Sequence, residues 1–163
     1  MSMITFSLAR SAACAFVSAA AALPLPAFSA SHAGAPEIRV TPADQIKYQP
    51  LDPKAGAAGP QVAVVFGQMN KKAPIGILLK TPPGFKPGPH LHTSDNHVVV
   101  VRGTAHNFAA SGPEGIGIGP GGTWFQPGNA DHDNHCTPAA ECLLFVYLPK
   151  GFDFKPPKSA AKK

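Results

Sequence analysis

The sequence predicts an all-β fold, one closed barrel or sandwich of short strands, and three observations carry that prediction. Nineteen prolines and 16 glycines are spread through 163 residues, and the prolines from Pro24 to Pro157 leave almost no stretch of a dozen residues free of a helix breaker. Helical bundles and doubly wound nucleotide folds are thereby set aside. Short apolar runs, rich in β-branched and aromatic residues, occupy 62–66, 75–79, 98–101, 124–125 and 143–148, and each has strand length. Gly/Pro clusters such as those at 80–89 and 112–115 separate them, the punctuation of a sandwich or barrel. About 130 residues follow the N-terminal segment, enough for one core and too few for two.

Residues 1–33 read as a secretory signal. Arg10 ends a short basic region, an Ala-rich apolar run covers 11–28, and Ser31-His32-Ala33 offers a small-x-small cleavage pattern. Pro24 and Pro26 interrupt the run before it reaches the roughly 20 apolar residues of a bilayer span, so no transmembrane anchor is expected. Cys14 has no Leu three residues before it, which makes lipid attachment the weaker alternative. The expected location is the periplasm or the outside of the cell. A Pro-rich lead follows at 34–60, then the barrel at 61–150, then a basic Pro/Ala-rich tail at 151–163. No period of 20–50 residues repeats, so solenoids and propellers are not expected.

The formal charge of +5 suggests an anionic partner only until the charges are placed. Arg10 belongs to the leader and Lys155, Lys158, Lys162 and Lys163 to the tail, while 34–154 holds 9 basic and 9 acidic groups. No basic stripe for nucleic acid survives. Beyond the leader two cysteines remain, Cys136 and Cys142, and in an oxidising compartment a disulfide across a hairpin is the natural reading. The competing reading makes Cys136, four residues from His132, a soft metal ligand.

Six of the seven histidines fall between 90 and 135: His90, His92, His97, His106, His132 and His135. In a strand, His90-Leu91-His92 projects both imidazoles to one face, and two neutral imidazoles on one face can share a metal ion. His132, just after a Pro-Gly turn, is the best third donor. Its partner in strand parity is Asn134, which turns His135 outward. No nucleophile elbow, phosphate-cradling loop, Cys-x-x-Cys or His-Glu-x-x-His occurs, so any catalysis depends on the metal.

These residues resemble the two motifs of the cupins. The first motif runs Gly, five residues, His-x-His, three or four residues, Glu, six residues, Gly; here Gly84, His90, His92, Asn96 and Gly103 stand at those positions. The second is matched by Gly121, Pro127 and His132, with Asn129 where the motif has Gly and Cys136 where it has Asn. Asn129 is a mild change, since Asn tolerates the left-handed conformation of a tight turn. The resemblance covers roughly 61–149 and implies a small double-stranded β-helix holding one metal through His90, His92, His132 and Asn96. With Asn96 for the Glu, the ligand set carries no formal charge, which suits a divalent transition metal (Zn, Fe, Cu, Ni or Mn) over Mg or Ca. Asp95, through a bulge, or His97 are the alternatives for the lost carboxylate, and a barrel mouth without metal is the plain alternative to the whole site. His97, His106 and His135 are expected to be exposed or to support a ligand from behind. Phe66, Ile77, Leu79, Val98, Val100, Trp124 and Phe145 are expected to fill the barrel wall.

Two functions fit. One is a metal-dependent enzyme acting on a small organic molecule, with an open metal position, for which the resemblance implies oxygenase or isomerase chemistry; the other is a noncatalytic module that binds a metal or small ligand. A homodimer through strand edges is an expectation of the resemblance.

Overall fold

The structure, a computed structural model, describes residues 37–158. The segment expected to be a signal, with Arg10, Cys14 and His32, and the last lysines Lys162 and Lys163, lie outside the described residues. Eight strands are present among those described: β1 (Gln49–Pro50), β2 (Gln61–Phe66), β3 (Ile75–Thr81), β4 (Asn96–Arg102), β5 (Ala105–Ala109), β6 (Thr123–Gln126), β7 (His132–Cys136) and β8 (Cys142–Leu148). Six form one antiparallel sheet in the order β1-β2-β3-β8-β4-β6, and β5 pairs with β7 in a second. Two 3-10 turns, Ala43–Gln45 and Gly56–Ala58, flank β1, and among the described residues no helix is long and apolar enough to cross a membrane.

The core lies on the inner face of the large sheet, where period-two alternation sorts the side chains. On β8, Cys142, Leu144, Val146 and Leu148 point inward and are buried. Each faces a partner in register: Ile75 opposite Leu148, Ile77 opposite Val146, Leu79 opposite Leu144, and Val98 and Val100 of β4 opposite Val146 and Leu144. Ile75, Ile77, Val100 and Leu148 are completely buried. Of the expected wall residues, Leu79 and Trp124 line a cavity beside this core.

Phe66 and Phe145 correct the sequence reading. Phe145 sits on the outward parity of β8. At Phe66 the β2–β3 register shifts, the side chain is 46% exposed, and its ring covers Gly76, where a Cβ would come within 2.3 Å of it. A bulge changes which face a residue serves, and the missing side chain at Gly76 gives the ring a seat outside.

The second sheet, β5 and β7, is polar at its centre (Ala-His-Asn-Phe-Ala and His-Asp-Asn-His-Cys), while the paired Ala105 and Cys136 at one end join the core. The disulfide Cys136–Cys142 ties its β7 strand to the start of β8 in the large sheet. Part of the lead also packs: β1 pairs with β2, and Lys80 Nζ lies 3.8 Å over the Tyr48 ring.

Candidate metal centre

His90 and His132 are 42 residues apart in sequence yet are backbone neighbours. Each N–H donates to the other's carbonyl at 2.9 Å, an antiparallel bridge between the segment before β4 and the start of β7. Leu91, buried between the two histidines of its tripeptide, makes the same reciprocal pair with Lys155, both at 3.0 Å. His92 is held on its other side: its carbonyl accepts from Asn129 N–H at 2.7 Å. Asn129 has φ 60, the only positive φ of a non-glycine residue among those described. The turn needs the left-handed conformation that the sequence expected Asn to supply.

This backbone lattice brings the three imidazoles together. His90 and His132 are 3% exposed and His92 9%; ring centroids lie 4.3 Å apart for His90 and His132, 5.1 Å for His90 and His92, and 5.3 Å for His92 and His132. One nitrogen of each lies within 4.8 Å of the others, and no other such metal-ligating group occurs among the described residues.

Each ring has one nitrogen already committed. Nδ1 of His90 donates to the Gly88 carbonyl at 2.8 Å, Nδ1 of His132 to Ala130 at 3.1 Å, and Nδ1 of His92 to Asp153. A carbonyl only accepts, so Nδ1 carries the proton in all three rings and every Nε2 keeps its lone pair. Burial favours that neutral form: desolvation lowers all three pKa values, His132 to about 4, against the weaker opposing pull of the hydrogen-bonded carbonyls. Three neutral, oriented Nε2 donors are what a transition ion requires of imidazole.

Asn96, the fourth sequence candidate, is buried and lines the same cavity. The carbonyls of Ser94 and Asp95 beside its amide call for Nδ2 on that side, where it would donate at 3.2 and 3.1 Å, with the oxygen at the other end. Neither alternative carboxylate substitute joins the cluster. Asp95 Oδ1 accepts from Gly128 N–H at 2.8 Å and so braces the turn before His132; His97 is outward and exposed, between Phe125 and Tyr147. Cys136 is in the disulfide and is not a ligand. His135 does leave the cavity by parity but is not open to solvent: its ring bonds Glu114 at 2.8 Å and Asp133 at 3.2 Å and meets the Phe108 ring edge-on. His106 donates to the Gly115 carbonyl at 2.7 Å.

Sequence reasoning missed the segment that crosses the site. Phe154 stacks on His90 with centroids 4.4 Å apart, Phe152 lies 5.9 Å from the His92 ring, and between them the Asp153 carbonyl accepts the hydrogen bond from His92 Nδ1. The Asp153 carboxylate is fixed by Thr93, through its N–H at 2.8 Å and its hydroxyl at 2.6 Å. The alternating aromatics Phe152-x-Phe154 were the available signal, obscured by the lysines that follow.

Comparisons with known proteins bear on the fold. No curated protein matches the chain. Among solved structures, the polyketide cyclase RemF from Streptomyces resistomycificus is similar at 16% identity and TM-score 0.57, covering 74% of this chain and 85% of that one. KdgF from Halomonas sp. is similar at 19% identity and TM-score 0.52 (66% and 92%), and an RmlC-like cupin from Shewanella frigidimarina at 16% and 0.55 (72% and 95%). With the two motifs, the antiparallel jelly roll and these likenesses, the chain is a cupin-type barrel, and it belongs to the family described as a domain of unknown function, DUF4437, whose model matches residues 39–163.

Proposed function

We propose that the protein holds one divalent transition metal (Zn, Fe, Cu, Ni or Mn) through Nε2 of His90, His92 and His132, with the Asn96 amide oxygen as a weak fourth donor, and presents it to a small organic molecule. The observation that carries the reading is the uniform commitment of the three Nδ1 protons to backbone carbonyls. The bound ion supplies Lewis acidity, or redox capacity if it is iron or copper, at an open coordination position. The chain does the rest: the carbonyls orient the rings, and burial keeps them unprotonated. Ile77, Leu79, Val98 and Trp124 give the ligand space an apolar wall. Chemistry of the oxygenase or isomerase type fits such a site, and barrels of the same fold include a polyketide cyclase and DMSP lyases. Export to the periplasm or beyond, by cleavage of 1–33, is part of the proposal, and the disulfide supports it.

A second reading, a noncatalytic binder, is favoured by one observation: no described residue lining the cavity is a carboxylate, lysine or arginine, so an acid or base beside the imidazoles is absent from the wall. Metal analysis of the purified protein tests the site, with about one ion per chain expected in the wild type and none in His90→Ala/His132→Ala. A wild type without stoichiometric metal after loading with each of the five ions removes the proposal. Dioxygen uptake in the presence of candidate substrates then separates enzyme from binder.

A further inference from the structure

Two of the three imidazoles are aimed by their own turns. Nδ1 of His90 and Nδ1 of His132 each donate to the carbonyl two residues earlier, Gly88 and Ala130. His92 is different: the carbonyl that accepts from its Nδ1 belongs to Asp153, 61 residues along the chain. Its ring keeps its aim only while that distant segment stays in place. The segment, 152–158, is fastened to both ligand-bearing stretches. After β8 the chain turns at Gly151, with φ 89 and packed so closely on Lys71 that a Cβ would lie 2.2 Å from its carbonyl oxygen. The Asp153 carboxylate then takes two bonds from one residue, Thr93 N–H at 2.8 Å on Oδ1 and Thr93 Oγ1 at 2.6 Å on Oδ2. Lys155 exchanges main-chain bonds with Leu91. Lys158 N–H donates to Asp131 Oδ1 at 3.0 Å, and Lys158 Nζ to the Asn129 carbonyl at 2.8 Å. Leu91 and Thr93 flank His92, and Asn129 and Asp131 stand just before His132.

We infer that segment 152–158 is a positioning strap of the metal centre and that the Thr93–Asp153 pair is its clasp: the pair holds the Asp153 carbonyl where it aims Nε2 of His92 toward His90 and His132. Thr93 and Asp153 are positioning residues, since neither side chain belongs to the ligand cluster. Hydrogen bonds to an ionised acceptor are the strong ones, and a carboxylate bonded at both oxygens cannot swing without losing them. The groups behind a metal-ligating histidine fix its tautomer and ring orientation, and they matter to the ion nearly as much as the ligand does. The inference rests on the proposed function for the ion, whereas the aim of the His92 ring can be read without one.

The test uses the full-length protein with Zn, whose affinity is read by competition with a chromophoric chelator, and nitrogen NMR of the metal-free protein, which reads the tautomer of each imidazole. Asp153→Ala keeps the main-chain carbonyl but loses the clasp, and is expected to bind Zn about 10- to 100-fold more weakly. Thr93→Val loses only the hydroxyl bond and is expected to fall between Asp153→Ala and the wild type; Thr93→Ser keeps that bond and is expected to match the wild type. In metal-free Asp153→Ala the His92 ring is expected to populate both tautomers, while His90 and His132 stay protonated at Nδ1. Val100→Ala, at a completely buried core position that does not line the cavity, lowers stability without touching the strap and is expected to leave Zn affinity and all three tautomers unchanged. Circular dichroism checks that every variant is folded. Unchanged Zn affinity in Asp153→Ala, an equal loss in Val100→Ala, a loss in Thr93→Ser as large as in Thr93→Val, or a His92 tautomer that does not respond to Asp153→Ala overturns the inference. If the wild type binds no Zn, the affinity arm counts against the proposed function, and the tautomers alone decide whether the strap aims His92.

Discussion

Loading the histidine cluster with the proposed ion is expected to raise the stability of the whole barrel by an amount that follows from mass action. An ion that binds the folded chain and not the unfolded one adds about 2.7 kcal/mol when its free concentration is 100 times Kd. The described body spans 37–158, roughly 120 residues. At about 2.1 cal/mol/K per residue, its unfolding entropy is near 0.25 kcal/mol/K, so the melting temperature rises by roughly 10 °C. The three donors are buried, oriented and neutral, which means that little of the binding energy is spent on arranging them. The assay is a thermal melt followed by circular dichroism, metal-free and with each of Zn, Fe, Cu, Ni and Mn. His90→Ala and His132→Ala are expected to lose the increment, whereas His135→Ala, whose ring bonds Glu114 and Asp133 away from the cluster, is expected to keep it. An increment of equal size in His132→Ala, or none with any ion in the wild type, refutes the reasoning from ring orientation to metal.

Four further outcomes are expected. Because folding lowers the histidine pKa values, His132 to about 4, protons favour the unfolded chain; the metal-free protein has this stability in full above the ordinary imidazole value of about 6.5 and loses it as pH falls from there toward 4. Melts across that window are expected to show a shallower decline in His132→Gln. Replacing Cys136 and Cys142 by Ala opens a loop of sequence separation 6 and is expected to cost about 2 kcal/mol in the chain-entropy model, read from urea unfolding. Ile77→Ala, at a completely buried position, is expected to cost roughly 2–5 kcal/mol in the same assay. Asn129→Val, which puts a β-branched residue at φ 60, is expected to lose about 1–2 kcal/mol and to loosen the metal, while Asn129→Gly is expected to retain it.

The large sheet was legible because its strands are buried on one face and built of Val, Ile and Leu, the composition that apolar periodicity detects. The β5 strand was not, since Ala-His-Asn-Phe-Ala carries polar residues that serve the cavity or its hydrogen bonds, and of β7 (His-Asp-Asn-His-Cys) only the strand parity of His132, Asn134 and His135 was legible. Function overrides strand propensity there. The convergence of His90, His92 and His132 was readable from motif spacing, down to the turn that Asn129 completes. Phe152 and Phe154 were assigned to a solvated tail because lysines dominate its composition, yet their position is set by long-range pairing of Lys155 with Leu91, which no local pattern encodes. Phe66 was misread for the converse reason: an apolar residue near a bulge has no parity to obey.

The reciprocal bonds between His90 and His132 belong to the main chain, and so does the bond from Asn129 to His92. The cradle is therefore a product of folding, finished before any cargo arrives. Unlike a zinc finger, whose peptide collapses around its ion, this barrel is expected to give up the proposed ion to a chelator and remain standing, ready to be refilled.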